Sequence, residues 1–228
     1  MPVSGPRPNG ARFPSMNYRD SRQAIVEKNK GVRDKRTTLA KAVAMVQDGD
    51  HLAVGGLQYT RTPVGALWEI IRQKRQNLTI YKPLMSFDGD WLFVSGVMGK
   101  AVTSWFSGGV TWGVSKIMRS FAEADPSTFE ELSLLGLSLR LKAGAMGIPC
   151  IPTKSMLGSD LEKTAGLKRF TCPYSGEELL LVPAINPDVA IIHSQVADMY
   201  GNGQIFGPPC LDLESAKAAN KVILTTEQ

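Results

Sequence analysis

Apolar and polar positions alternate along the chain in short blocks of two kinds. Leu39, Ala42, Val43 and Val46 recur at helical spacing behind a capping Thr38, and Asp48-Gly49-Asp50 closes that helix. His51-Leu52-Ala53-Val54 then reads as a short buried strand, and Gly55 to Pro63 as a loop that ends on a proline suited to a first helical turn. A second helix runs to Asn77, with Leu67, Trp68, Ile70 and Ile71 inside and Arg72, Lys74 and Arg75 outside; Leu78-Thr79-Ile80-Tyr81 follows as a strand. Helix, strand, glycine loop, helix, strand is the repeating unit of a parallel α/β sheet.

The alternation continues with a strand near Ala101 to Phe106 and a helix from about Leu134 to Ala145 that Gly147 can cap. Ile148 to Pro152 is extended, its prolines marking an edge or a strand start. Strands at Glu178 to Val182, Asp188 to Ile192 and Lys221 to Thr225, with a short helix from Leu213 to Ala219, complete the series. The pattern predicts one open, mostly parallel, three-layer α/β sheet.

Composition changes this picture little. The 228 residues are 43% hydrophobic and 21% charged, the balance of an ordinary globular protein, so a packed core is expected. No stretch approaches a membrane span or a secretory signal, and Cys150, Cys172 and Cys210 lie far apart without CxxC spacing. The chain reads as a soluble cytoplasmic protein with reduced thiols, no metal site and no disulfide framework. Charge is the exception. Residues 1–40 carry nine Lys/Arg against three Asp/Glu, a balance of +6, and the remainder carries 17 against 18. The basic charge therefore sits in an N-terminal extension, residues 1–33, that is too polar to order itself and reads as a solvated arm rather than a nucleic-acid or membrane anchor.

Chemistry concentrates where strands end. In parallel sheets ligands bind at loops leaving the C-terminal strand ends, and three loops qualify: Gly55 to Thr62, Ser86 to Trp91 and His193 to Pro209. Gly55 and Gly56 let backbone approach a ligand, Gln58, Tyr59 and Thr60 offer polar or aromatic contacts, and Arg61 suits an anion. Neither GxGxxG nor GxxxxGK[ST] is present. Ser194 and His193 are strand neighbours on opposite faces, so they are not a catalytic pair; His193 fits a hydrogen-bonded histidine. Asp198 and Asn202 fit turn bonding, as Asp88 does in Asp88-Gly89. A ligand cleft results, without a complete catalytic set, though an acid-base role for His193 and a catalytic one for Asp198 and Asn202 stay open.

Four stretches, HLAVGGLQYTRTPVGAL (51–67), AGAMGIPCIPTKSMLGSDL (143–161), LLVPAINPDVAIIHSQVADMYGNGQIFG (180–207) and AKAANKVILTTE (216–227), together resemble the alpha subunit of family I coenzyme A transferases of the glutaconate type. The resemblance runs from about residue 35 to the end. It implies the α/β fold that these enzymes share with some sugar-phosphate isomerases, the NagB/RpiA-like fold, over a domain from residue 34 to 228. It also implies transfer of CoA between an acyl-CoA and a carboxylic acid, the CoA thioester being substrate and no cofactor being tightly bound. The nucleophilic glutamate is then in the beta subunit, in a Ser-Glu-Asn-Gly-like motif that this sequence lacks, and the assembly is αβ or α2β2. Gly55 and Gly56 would approach the acyl group and Gln58, Thr60 and Arg61 the substrate carboxylate, with Gln195, Asp198, Asn202 and Gly203 shaping the cleft or the subunit contact. Related subunits include ring-opening hydrolases of CoA thioesters, and a binding homologue without catalysis is a further alternative. Glutaconate-type subunits continue through further helices where this chain ends at Gln228, which reads as a shortened or truncated form.

Overall fold

The computed structural model describes residues 18–228. The part of the N-terminal extension expected at residues 1–17 lies outside them. From Tyr18 the chain forms α1 (Tyr18–Glu27), which the sequence reading did not anticipate; Arg22 of this helix lies over Gly147, and Lys28 Nζ donates to the Asn220 carbonyl at 3.2 Å. Next come α2 (Leu39–Val43), β1 (His51–Val54), α3 (Val64–Arg72), β2 (Leu78–Tyr81), β3 (Leu84–Met85), α4 (Phe87–Val94), β4 (Met98–Thr103) and β5 (Trp105–Phe106). The middle of the chain supplies α5 (Gly109–Trp112), α6 (Lys116–Ala124), β6 (Phe129–Glu131), α7 (Leu134–Met146), β7 (Cys150–Thr153), α8 (Asp160–Thr164), β8 (Lys168–Thr171) and β9 (Glu178–Pro183). The last elements are β10 (Val189–Ser194), β11 (Val196–Ala197), β12 (Gly203–Gln204), α9 (Asp212–Ala218) and β13 (Lys221–Thr226).

Six strands form one parallel sheet in the order β13-β10-β1-β2-β4-β6; the alternation predicts its parallel α/β character, while the edge strand β6 was not anticipated. Both faces are covered, so its strands read as continuous apolar runs. Leu52, Val54, Leu78, Ile80, Val189 and Ile191 point into one apolar layer with α2, α3, α4 and α6, while Ala53, Tyr81, Val102, Ala190 and Ile192 point into a second with α7 and α9. Period-two alternation along each strand feeds both layers.

The expectation of a single sheet needs a correction. The strands predicted at Ile148–Pro152 and Glu178–Val182 leave the central sheet and pair antiparallel as β7-β9-β8, a separate sheet over the second layer. Their local pattern specifies extended backbone but not its partner, and Pro152 has no N–H to donate to a central ladder. A smaller correction concerns Trp68, expected inside: it is 50% exposed and packs on Trp91 with ring centroids 5.3 Å apart.

Two devices hold α7 against the sheet. A Cβ on Gly144 would lie 2.1 Å from the Ile185 carbonyl oxygen, so only glycine permits this approach. Asn186 donates to the carbonyls of Gly144 at 3.4 Å and Ala218 at 3.0 Å, joining α7 to α9. At the opposite edge Glu130 accepts from both Lys100 and Arg140, and Arg140 Nε donates to the Pro183 carbonyl at 3.0 Å. Burial pushes the Glu130 carboxyl upward, but the two cations outweigh it and hold it below the usual carboxylate range.

Near this cluster His51 is buried with Nδ1 2.5 Å from the Tyr81 hydroxyl. Burial lowers the imidazole below its ordinary 6.5, with Asp188 opposing. A histidine whose folded value lies below its unfolded one binds fewer protons when folded, so stability is full above 6.5 and falls as pH drops from there to the folded value. We expect the urea midpoint to decline between pH 7.5 and pH 5.5, before the Glu130 carboxyl begins to titrate, and His51→Asn to flatten that decline. An equal decline in the variant would show that His51 is not its source.

Candidate functional site

The loop after β1 is fixed from both ends. Gly55 N–H donates to the Ile191 carbonyl at 2.9 Å and Gly56 N–H to Asp212 Oδ1 at 2.8 Å. A Cβ at Gly55 would lie 2.7 Å from Asp212 Oδ1, and one at Gly56 2.7 Å from the Arg61 carbonyl. Gly56 also has φ 85°, a left-handed value that favours glycine. Leu57 and Thr60 then exchange backbone hydrogen bonds at 2.9 and 2.8 Å, making a tight turn with Gln58 and Tyr59 at its tip. Gln58 at φ 50° and Arg61 at φ 58° are also left-handed, a strain of about 1 kcal/mol or more each, sustained only where the surroundings over-determine the backbone.

Arg61 supplies much of that determination. Its side chain is only 3% exposed and forms a buried ion pair with Asp212, whose side chain is likewise 3% exposed. The guanidinium also donates to the carbonyls of Pro208 and, at 3.5 Å, His193. Asp212 thus accepts from the glycine-loop amide on one oxygen and from Arg61 on the other. The residue expected to meet a substrate carboxylate is spent inside the protein, joining the glycine loop to the 193–209 loop.

A second buried pair holds the other flank. Lys82, fully buried, donates to Asp88 Oδ2 at 2.7 Å, Thr62 Oγ1 at 2.8 Å and the Gln58 carbonyl at 3.4 Å. Three acceptors match the three ammonium protons. Asp88 Oδ1 accepts from the Ser86 N–H at 3.0 Å, so the expected Asp-Gly turn is instead the start of α4 and an anchor for Lys82.

The remaining predicted residues divide. Gln58 and Thr60 stay at the turn, with Gln58 Nε2 3.4 Å from the Ser107 carbonyl. Gln195 pairs with the Phe206 backbone, its Oε1 accepting at 3.0 Å. Asp198 accepts from the N–H groups of Tyr200 and Asn202, both at 2.9 Å, and from Asn202 Nδ2 at 2.7 Å, a self-contained Asx turn that leads to Gly203 in β12. His193 Nδ1 lies 2.9 Å from Thr225 Oγ1. The glycine loop and the 193–209 loop therefore meet through Arg61, while the Asp198 turn sits exposed at the outer end. Sequence reasoning missed Asp212 and Lys82, whose only local sign is a charged residue beside an apolar block.

Of the carboxylates that touch these loops, Asp88 pairs with Lys82 and Asp212 with Arg61, while Asp90 accepts from Ser115 Oγ and Asp198 from the amides of its own turn. None is presented as a nucleophile. The sequence matches the family described as coenzyme A transferase over residues 36–228. The chain belongs to the coenzyme A transferase family. It is 33% identical over 195 residues to one subunit of the 3-oxoadipate CoA-transferase of Pseudomonas knackmussii, covering 84% of this chain and 69% of that protein. The crystal structure of glutaconate coenzyme A-transferase from Acidaminococcus fermentans superposes with a TM-score of 0.79 at 31% identity, over 84% of this chain and 66% of that one. An uncharacterised protein of Archaeoglobus fulgidus is 37% identical over 203 residues, 88% of this chain but 45% of the relative. The chain thus spans between about half and two thirds of the length of these proteins. Among the described residues no helix is long and apolar enough to cross a membrane.

The buried pair makes a direct prediction for this chain. Asp212→Ala strands the Arg61 charge and frees the Gly56 amide, and should cost about 3–5 kcal/mol in chemical denaturation. The double variant Arg61→Met/Asp212→Leu removes both charges and should cost less than the single one. If the double variant is the less stable, the pair contributes more than its desolvation cost and the clamp is miscast.

Proposed function

We propose that the chain is the alpha subunit of a heteromeric CoA transferase, moving CoA between an acyl-CoA and a carboxylic acid. The observation that carries this reading is the glycine-loop turn: a strained, doubly clamped backbone at a strand end, with the two carboxylates that clamp it, Asp88 and Asp212, each held in an ion pair. Such a turn binds and polarises; it does not attack. The attacking carboxylate then comes from the other side of the cleft, on a beta subunit in an αβ or α2β2 assembly. Two relatives are each named as one subunit of their CoA-transferase, which accords with a second chain.

In this mechanism the partner's glutamate adds to the thioester carbonyl and expels CoA thiolate, leaving a mixed anhydride. The thiolate attacks the glutamyl carbonyl and releases the first acid, giving a glutamyl-CoA thioester. The acceptor acid repeats the two steps in reverse. This chain's part is electrostatic: the N–H groups of Gln58 and Tyr59, which take no partner among the described residues, meet the oxyanion that develops on the carbonyl. Gly55 and Gly56 permit the approach, and Gln58 and Thr60 contact substrate. Arg61 is a positioning residue that holds the turn, and Gln195, Asp198, Asn202 and Gly203 shape the outer rim.

The test is intact-mass analysis of the chain copurified with its partner after incubation with acyl-CoA. A CoA adduct on the partner, none on this chain, and CoA release that depends on an acceptor acid are the expected results. Release without an acceptor would mark a hydrolase, and no turnover with the partner bound would favour a binding protein. Gly56→Ala should lower kcat by about 100-fold or more with little change in KM, since it displaces the turn rather than the binding surface.

A further inference from the structure

Between the start of α4 and the segment 108–115 lies an open hollow of about 200 Å³, and its Gly108 edge approaches the glycine-loop turn, where a Cβ would lie 3.7 Å from the Tyr59 hydroxyl. Tyr59, Phe87 and Trp112 form a cup there, with ring centroids 5.7 to 6.3 Å apart and each pair tilted or edge-on. All three rings are exposed, at 48%, 43% and 68%. Aromatic rings gathered at an opening in this way are an energetic cost unless something covers them. Phe87 and Trp112 line the hollow together with Ser86, Asp90 and Ser115, and the backbone at Gly108 is drawn in so closely that a Cβ there would lie 2.9 Å from Trp112 Cβ.

The polar part of this lining is acidic. Asp90 is 8% exposed and its Oδ1 accepts from Ser115 Oγ at 2.6 Å. Among the described residues no lysine or arginine lines the hollow, and Arg61 and Lys82, which hold the turn, are buried in their own ion pairs. Burial raises the Asp90 carboxyl and the neighbouring Asp88 adds to this, with Ser115 opposing. A second carboxylate brought into this hollow would meet a buried carboxyl and aromatic walls, without a counter-charge among the described residues that line it.

We infer that the hollow is the acyl-group subsite and that it selects an uncharged, apolar acyl chain of aryl size against a dicarboxylic acyl chain. The assignment rests on the transferase reading and supplies its substrate class. The volume suits it, since roughly 150 Å³ of apolar cavity suffices for benzene. Tyr59 joins the two functions: its backbone N–H is at the tip of the turn, and its ring packs against Phe87 and Trp112, the two rings that line the hollow. An acyl carbon held at the turn thus has its chain directed toward the rings.

The experiment uses the chain copurified with its partner and two probes, 3-phenylpropionyl-CoA and glutaryl-CoA. Dissociation constants are read by titration calorimetry and kcat/KM by CoA transfer to acetate. We expect the phenyl donor to bind at least about tenfold tighter, the penalty of an unpaired like charge. Asp90→Asn should shrink that ratio by tightening glutaryl-CoA, and Trp112→Ala should weaken the phenyl donor by about tenfold while leaving glutaryl-CoA in place. Trp112 is mostly exposed, so its truncation tests the subsite without emptying a core. Equal or tighter binding of glutaryl-CoA, or a ratio unmoved by both variants, overturns the assignment. Tighter phenyl binding with no CoA transfer to any acceptor sinks the transferase reading instead, and supports the subsite.

Discussion

The carboxylate of Asp212 is the point on which the site depends. It stands at the start of α9, 156 residues after Gly56 and 151 after Arg61, and binds both. Each contact alone would be ordinary. Together they fix a backbone amide and a side-chain cation of the same short loop to one rigid helix start, and they do so where water is excluded. Removing water from two charges costs several kcal/mol per ion unless geometry and additional hydrogen bonds offset it, and Arg61 finds those bonds on the Pro208 and His193 carbonyls. The pair is therefore poor evidence for net stability and good evidence for a specified conformation. The left-handed φ of Gln58 and Arg61 is what that specification holds in place.

Lys82 applies the same logic from the other side. An ammonium with no exposed surface is sustained by Asp88, Thr62 and the Gln58 carbonyl, and so connects the end of β2 to the turn and to the start of α4. The two pairs act on adjacent parallel strands, β1 and β2, at the end where such sheets place their ligands. Between them the turn has little freedom, which is the condition under which a backbone N–H can stabilise a developing charge without first reorganising.

The buried central strands were legible because burial on both faces leaves apolar runs, and because helices between them keep a different period; the partly exposed Phe129–Glu131 and Lys168–Thr171 were not. Leu52 to Val54, Ile80 and Val189 to Ile192 announce themselves in this way. Partner choice did not. Cys150–Thr153 and Glu178–Pro183 look locally like any other strand, and only the three-dimensional path puts them in the antiparallel sheet. The glycine loop was legible as a place, through Gly55 and Gly56 at a strand end. The role of Arg61 was not, because a cation on a glycine-flanked loop looks free until the distant Asp212 is brought to it. The same distance hid Lys82: a lysine between Tyr81 and Pro83 gives no sign that it is wholly buried.

This allocation of charge has a consequence for how a site divided between two chains can work. In the proposed split site, with Arg61 and Lys82 neutralised internally, the wall assigned to this chain is a set of backbone donors beside aromatic surface. A nucleophilic carboxylate facing that wall is not drawn into a permanent ion pair with it, which would lower its basicity and hold it away from the thioester. In the proposed mechanism the N–H groups of Gln58 and Tyr59 offer partial charge, enough to favour an oxyanion as it forms yet too little to trap a carboxylate before it attacks. Placing full positive charge inside the scaffold and only dipoles at the surface thus separates the task of holding the loop from that of meeting the reacting atoms.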